Sequence, residues 1–549
     1  TDVLIIGAGP TGLTAAIEAV RHGLSVRIID ANETGSIYSK ALVLHSRSLE
    51  VFADMGLIDP ILQRGQEFRA LNFHDNKKLL NRINFRNIDW QDAIYPYWLS
   101  LPQCETENVL EEHLAKLGVK VERNTKLSAL TQSDDRVQAT LSIEDNTGSD
   151  AREEIVETAW LVGCDGARST TRKLCNIAYE GTADDEVFIL GDVDIDWEQP
   201  EDEGQIFLAA EGIFLVVPLP NSNSYRLIAH LPKSSMGQAP EINLNLLQSL
   251  MDKRTGMTAR LHNLAWHSHF AVKHLVAASH RQGRVFLAGD AAHIHSPVGG
   301  QGLNTGIQDS YNLMWKLALV HQGKGTDALL NSYEQERHEV AKETIRKVSK
   351  ATKVVTLTNP ISRALRNQLA SILINFDVVQ QQLGRAVGML DISYQNSPAV
   401  REDMANRKST GPNKGDRATN VLFQDEKGQP HSLVNYFRGT EHVLFLFMGL
   451  CDAKPSPELK QIQDRISKDY AGLIRSYLVA GTPVASSDWS GPVIVSIDGA
   501  IHRRYGADKE GALYLIRPDH HIAFRSQPVD VGLFFDYLSG HLVPTLSYV

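Results

Sequence analysis

Near the start of the chain, Gly7-Ala8-Gly9-Pro10-Thr11-Gly12 stands between the apolar run Val3-Leu4-Ile5-Ile6 and a stretch of helical composition, Leu13 to Arg21. A second apolar run, Leu24 to Ile29, ends at Asp30. Strand, glycine turn, helix and strand in this order predict a βαβ unit that holds a dinucleotide. Gly7 permits a tight turn, Gly9 lets the backbone approach a pyrophosphate, and Gly12 lets the helix pack on the strand. The helix start, with Thr11 in its first turn, offers free N–H groups and a partial positive charge to phosphates. Asp30 follows Gly12 by eighteen positions, close to where a carboxylate that holds a ribose hydroxyl is expected. The motif does not separate FAD from NAD.

Two later turns do. Trp160 to Cys164 reads as a buried strand that enters Gly163-Cys164-Asp165-Gly166-Ala167-Arg168-Ser169. Val285 to Ala288 is another, entering Gly289-Asp290-Ala291-Ala292-His293, with Pro297-Val298-Gly299-Gly300-Gln301-Gly302-Leu303-Asn304 beyond it. An open α/β sheet collects its ligands at the carboxyl ends of its strands, so all three turns can reach one extended nucleotide. A carboxylate at Asp290 can accept hydrogen bonds from the polyol chain of a flavin, which NAD lacks.

These motifs, in this order, resemble the class A flavoprotein aromatic hydroxylases, the phenol-hydroxylase-like FAD monooxygenases. The resemblance covers roughly residues 1–390. It implies that Gly7, Gly9, Thr11, Gly12 and Asp30 bind FAD, that Asp165 and Gly166 form the DG motif associated with FAD and NAD(P)H, and that Gly289, Asp290 and Gly300 meet the flavin, Asp290 at its ribityl chain. Lys40 to Glu50 looks like the segment whose arginine, here Arg47, contacts FAD; Lys40 stands where many relatives carry Arg. Leu101-Pro102-Gln103-x-Glu105 resembles the stretch whose glutamine, here Gln103, reaches the flavin side. The bland alternatives are that Asp165 caps a helix and that Arg47 lies on one.

The implied reaction uses NADPH or NADH as a transient reductant. Dioxygen adds to reduced FAD as a C4a-hydroperoxide, and one oxygen passes to an electron-rich, phenolic or polycyclic aromatic ring. Reduced flavin carries charge at N1 and the C2 carbonyl, where backbone amides of Gly302, Leu303 and Asn304 at a helix start are the expected stabilisers. Pro297 and Gly299 are expected to shape the loop above the ring. Substrate contacts are sought among His45, Tyr225, Arg226 and His230, with strand alternation setting about half of them on the wrong face. Epoxidation and Baeyer–Villiger oxidation stay open, since the same oxidant serves both. A halogenase is disfavoured because no Trp-x-Trp-x-Ile-Pro segment occurs. A non-catalytic flavin-binding protein is the alternative of another class.

The expected fold is α/β. A Rossmann-like FAD-binding domain occupies 1–175, including a sheet segment at about 70–103, and returns at 276–400 with long helices over 302–390. An antiparallel-sheet substrate domain, read from alternating residues such as Ile213-Phe214-Leu215-Val216-Val217, is inserted at 176–275. A linker is expected near 400–416. Residues 417–549 resemble the thioredoxin-like domain of the larger family members, with strands at 442–448, 492–497 and 512–516, a helix between about 456 and 477, and a hairpin at Pro518-Asp519. Only Cys451 lies near its central strand, so no redox pair is implied. A structural or oligomerisation role is the expectation, with a homodimer in view.

The 549 residues suggest three or four domains, and 42% apolar with 22% charged residues is an ordinary soluble balance. A net charge of −10 argues against nucleic-acid or anionic-membrane partners. The first apolar run lacks a basic flank, so it does not read as a signal peptide, and a cytoplasmic protein is expected. His293-x-His295 and His520-His521 lack a third ligand, so no metal is assigned.

Overall fold

The structure is a computed structural model. It describes residues 1–545 apart from 37–40, 89, 91, 145–151, 222, 232–240, 297–298, 356–361, 363–381, 383, 387 and 405–410. The expectations placed on Lys40, Pro297 and Val298 therefore lie outside the described residues.

A parallel sheet carries the nucleotide motifs. Strand β1 (Val3–Ile6) lies between β2 (Val26–Ile29) and β3 (Trp160–Gly163), and β3 pairs with β4 (Val285–Leu287), all parallel. Every residue of β1 and β3 is buried, which explains unbroken apolar runs where a half-exposed strand would alternate. Val3 and Ile5 pack on one face with helices α1 (Pro10–Arg21), α2 (Ser46–Asp54), α3 (Gln103–Lys116) and α4 (Gln301–His321). Leu4 and Ile6 pack on the other with a three-stranded sheet of Thr125–Gln132, Val137–Ile143 and Arg152–Thr158. Helix α5 (Asp327–Val355) lies against α4. The long helices expected over 302–390 are thus α4 and α5, and much of the remainder is outside the described residues.

The inserted sheet has eight strands, in the order His293–Ile294, Arg260–Ala277, Tyr179–Asp196, Ser224–Leu231, Gly212–Pro218, Glu203–Ala209, Ala70–Asp75 and Lys78–Asn84. The strands at 70–84, expected in the first domain, join this sheet through a parallel pairing of Ala70–Asp75 with Glu203–Ala209. One face is covered by helix Leu244–Thr255, capped at its start by Asn243 and stopped by Gly256 in the left-handed region.

Residues from 401 onward build a six-stranded sheet ordered Arg401–Met404, Ile522–Gln527, Ala512–Ile516, His442–Phe447, Ile474–Ala480 and Val493–Val495. Two expectations change here. Arg401–Met404 is an edge strand rather than linker, parallel to Ile522–Gln527. The helix sought over 456–477 stops at Asp469, because Gly472 takes a left-handed turn and Ile474–Ala480 becomes a strand beside His442–Phe447. Among the described residues no helix is long and apolar enough to cross a membrane.

Candidate flavin and substrate site

The three glycine turns meet. Gly7 has φ +99°, and a β-carbon there would stand 2.5 Å from the Cys164 carbonyl oxygen, so the turn after β1 presses on the turn after β3. A β-carbon on Gly12 would lie 1.9 Å from the Gly7 carbonyl oxygen. Gly9 differs: among the described residues nothing lies within 4 Å of its β-carbon position. The start of α1 has no side-chain cap and no acidic residue in its first turn. An open surface at an uncapped helix start is what a pyrophosphate needs. Asp30 accepts the Ala8 N–H at 2.7 Å and the Asn32 N–H at 2.8 Å, one on each oxygen, and so anchors the turn it follows.

The third turn closes on the first through Thr11. Its hydroxyl lies 2.5 Å from the β-carbon position of Gly289 and 2.3 Å from that of Gly306, while its carbonyl accepts the Ser310 hydroxyl at 2.8 Å. Beneath this joint sits fully buried Asp309, which accepts the Gly289 N–H at 3.0 Å and the Arg337 Nε–H at 2.7 Å and lies 2.7 Å from His293 Nε2. Burial opposes ionisation of Asp309, but Arg337 and His293 hold its carboxyl well below the usual range. Asp290, by contrast, is exposed on the rim of the turn.

At the head of α4, Gly299 and Gly300 are both left-handed, at φ +88° and +64°. Asn304 uses its side chain to hold this head: Oδ1 accepts the His45 N–H at 2.9 Å, and Nδ2 donates to the Val43 and Gly300 carbonyls at 2.8 Å each. A helix that starts at Gln301 makes the Gly300 carbonyl the acceptor of the Asn304 N–H. The Asn304 amide is therefore occupied within the helix. Among the described residues no side-chain cap occupies the start of this helix, where the amides of Gly302 and Leu303 lie. Beside them lies His295, whose Cε1 is 3.8 Å from the β-carbon position of Gly302. Its Nδ1 faces the Ser296 carbonyl at 2.9 Å, and its buried Nε2 has no hydrogen-bond partner among the described residues. Burial pushes this imidazole down to about 4, so it is neutral near pH 7. The open Gly9 surface, the free helix starts and the orphaned Nε2 together fit a long ligand with phosphates at one end and hydrogen-bonding ring edges at the other.

Three expected cofactor contacts are differently engaged. The Arg47 guanidinium is buried and donates to Glu50 at 2.9 Å and to the Asp519 carbonyl at 2.7 Å, turning toward the C-terminal unit. Asp165 accepts from the Ser169 hydroxyl at 2.6 Å and from the Thr171 N–H at 2.9 Å, and so braces the helix Thr170–Leu174 that Ser169 caps; Gly166 beside it is left-handed. Gln103 donates from its side chain to Glu107 at 2.8 Å and from its backbone to the Ala41 carbonyl at 3.1 Å.

The first 348 residues match the family model described as an FAD binding domain. The chain belongs to the class A flavoprotein aromatic hydroxylases. It is 32% identical over 532 residues to 6-methylpretetramide 4-monooxygenase of Streptomyces rimosus, an alignment spanning 96% of this chain and 91% of that enzyme. It is 31% identical to pentachlorophenol 4-monooxygenase of Sphingobium chlorophenolicum, over 95% of this chain and 93% of that enzyme. The solved structure of an anhydrotetracycline hydroxylase from Streptomyces rimosus superposes with a TM-score of 0.75 at 27% identity, covering 98% of each chain. The protein is an FAD-dependent monooxygenase of mixed α/β fold, and NAD(P)H is the reductant typical of the family.

Strand alternation sorts the hydroxylase's candidate substrate residues. On Ser224–Leu231, Tyr225, Leu227 and Ala229 face helix Leu244–Thr255, with Tyr225 edge-on to Trp197. Tyr225 is thus a core residue, and its expected substrate contact is withdrawn. Arg226, Ile228 and His230 take the opposite face. Half-buried Ile206, Leu215, Ile228 and Phe270 form an apolar wall there, with Phe188 beneath and His230 tilted against it. Arg226 holds both oxygens of Asp192 at 2.8 Å. Val217, its partner across the strands, packs with Val43 on the Phe68, Phe85 and Trp98 cluster. Val43 and the His45 ring, stacked on Trp98, are each 3.5 Å from the β-carbon position of Gly300. The wall therefore runs up to the head of α4.

Sequence reasoning missed Asp309, Arg337 and His295 as parts of this site. The available signal was a polar run, Gln308-Asp309-Ser310, inside a helix buried on nearly every side. Such burial demands partners for each group.

Proposed function

We propose that this hydroxylase inserts one oxygen atom into a polycyclic, phenol-like aromatic: ArH, O2, NAD(P)H and a proton give ArOH, water and NAD(P)+. The observation that carries this reading is the apolar wall of Ile206, Leu215, Ile228 and Phe270 that leads to the head of α4. A flat hydrocarbon-rich ring system covers such a surface, and each square ångström removed from water contributes about 25 cal/mol. The names of two relatives, a pretetramide monooxygenase and an anhydrotetracycline hydroxylase, support a fused-ring substrate, while that of pentachlorophenol 4-monooxygenase points to a single ring; the extent of the wall favours the former.

Bound FAD supplies the hard chemistry, accepting a hydride from NAD(P)H and, once reduced, activating dioxygen. The chain positions and polarises. Gly7, Gly9 and Gly12 admit the pyrophosphate to the start of α1, Asp30 serves a ribose, and Asp290 the ribityl chain. The amides of Gly302 and Leu303, with the dipole of α4 behind them, stabilise negative charge on the pyrimidine edge of the ring. Arg226, paired with Asp192, supplies a polar, charge-neutral edge to the wall. The parallel β1–β4 sheet serves as a Rossmann-like scaffold, and the C-terminal sheet as a thioredoxin-like unit without its redox cysteines.

The reading is tested by adding fused-ring phenols to the purified yellow protein and following NAD(P)H oxidation. Stimulation by such compounds with formation of hydroxylated product supports it. A rate indifferent to every aromatic added, with hydrogen peroxide as the sole product of oxygen, would sink it.

A further inference from the structure

Among the contacts of the C-terminal unit with the cofactor domain, which include Arg417 with Glu50 and Gly439 with Asp54, is one buried turn, Arg517-Pro518-Asp519-His520-His521. This turn touches both helices whose starts meet at the flavin site. On α2, Arg47 donates to the Asp519 carbonyl at 2.7 Å. On α4, the Asn312 amide donates to the Asp519 carboxylate at 3.0 Å, and the Tyr311 hydroxyl lies 3.1 Å from the Pro518 carbonyl and 3.0 Å from Asp54 at the end of α2. Arg517 grips Glu336 of α5 with two bonds, at 2.7 and 2.9 Å. All of these side chains are buried.

At their starts the same helices are joined again. The His45 N–H before α2 meets the Asn304 side chain of α4, which also holds the Val43 and Gly300 carbonyls. Arg47 is two residues from His45, and Asn312 two helical turns from Asn304. Two rigid helices joined at two points move as one body, so a shift at the turn is passed to their starts. The amides of Gly302 and Leu303 and the ring of His45 ride on the joint between His45 and Asn304.

We propose that Asp519 is a positioning residue for hydroxylation: the C-terminal turn sets α2 and α4 relative to each other, and thereby places the helix starts that face the flavin. The C-terminal unit then has a task in the reaction without redox cysteines of its own. This rests on the flavin position given under Proposed function.

The test is the coupling ratio, hydroxylated product per NAD(P)H oxidised, measured on flavin-loaded enzyme with an aromatic that the wild type hydroxylates. A misplaced site diverts reducing equivalents to hydrogen peroxide, whereas a smaller folded fraction leaves the ratio alone. Asp519→Ala is expected to lower the ratio severalfold. Tyr311→Phe, which removes a single oxygen from the same joint and keeps the ring, is expected to lower it by less, and decides the matter if Asp519→Ala does not fold. Ile501→Val, which loosens the C-terminal core away from the turn, is expected to leave it unchanged. The visible spectrum of bound FAD reads the joint without turnover, so it stays informative even if no aromatic is hydroxylated. A shifted spectrum in Tyr311→Phe and none in Ile501→Val is expected. Wild-type ratio and spectrum in both turn variants, or an equal fall in Ile501→Val, would overturn the proposal.

Discussion

The hydroxyl of Thr11 lies 2.5 Å from where a β-carbon on Gly289 would stand, and this contact locks the first nucleotide turn to the third. Gly289 also has φ +60°, a left-handed backbone. Gly289→Ala adds strain of about 1–2 kcal/mol from the backbone alone, before the clash is counted. We expect FAD affinity to fall at least about tenfold, equivalent to 1.4 kcal/mol. Flavin absorbance per polypeptide after dialysis checks this.

Two aspartates that look alike in the sequence are expected to separate. Asp290 is exposed on the rim of its turn, so Asp290→Ala should shed FAD with little change in the unfolding of the apoprotein. Asp165 accepts hydrogen bonds from the cap Ser169 and from the Thr171 N–H, so Asp165→Ala should cost stability of about 1 kcal/mol. Paired denaturant titrations and flavin counts distinguish the two effects.

Tyr225 and Arg226 are neighbours on opposite faces of one strand. Tyr225→Phe is expected to keep kcat/KM within about twofold, since the hydroxyl faces the core. Arg226→Met leaves Asp192 without its cation at the wall and is expected to lower kcat/KM by about tenfold or more. Equal effects from the two substitutions would place the substrate elsewhere.

The neutral His295 predicts a sign for acid sensitivity. Its folded value near 4, caused by burial, lies below the ordinary 6.5. Between these values the unfolded chain binds a proton that the native state refuses. Stability is therefore lost as pH falls from about 6.5 to about 4, by at most about 1.4 kcal/mol per pH unit for this one group, and levels off below. Urea unfolding across that range should show a shallower slope for His295→Gln than for wild type.

The nucleotide turns were legible because glycine is demanded by backbone geometry and spacing, which a sequence displays directly. Gly7, Gly12 and Gly289 each answer to a clash or a positive φ. The face of Tyr225 was not legible, because alternation gives two faces and only the packed helix Leu244–Thr255 says which is core. Asp309 with Arg337, and Arg517 with Glu336, are partners 28 and 181 residues apart. No local period announces such pairs. Arg47 misled for a related reason: its partner, Asp519, lies in a unit whose docking the sequence does not describe. The helix drawn to 477 ran past Gly472, where the left-handed backbone breaks it.

If bound FAD, set against the start of α4, delivers oxygen from O2 to an aromatic ring, the product must carry an atom of that O2. Single-turnover reactions under isotopically labelled dioxygen, with the product weighed by mass spectrometry, read this atom. One labelled atom per hydroxylated product, and none when the label is supplied in water, is the predicted result. Label entering from water, or an oxidised product that carries no new oxygen, would contradict it.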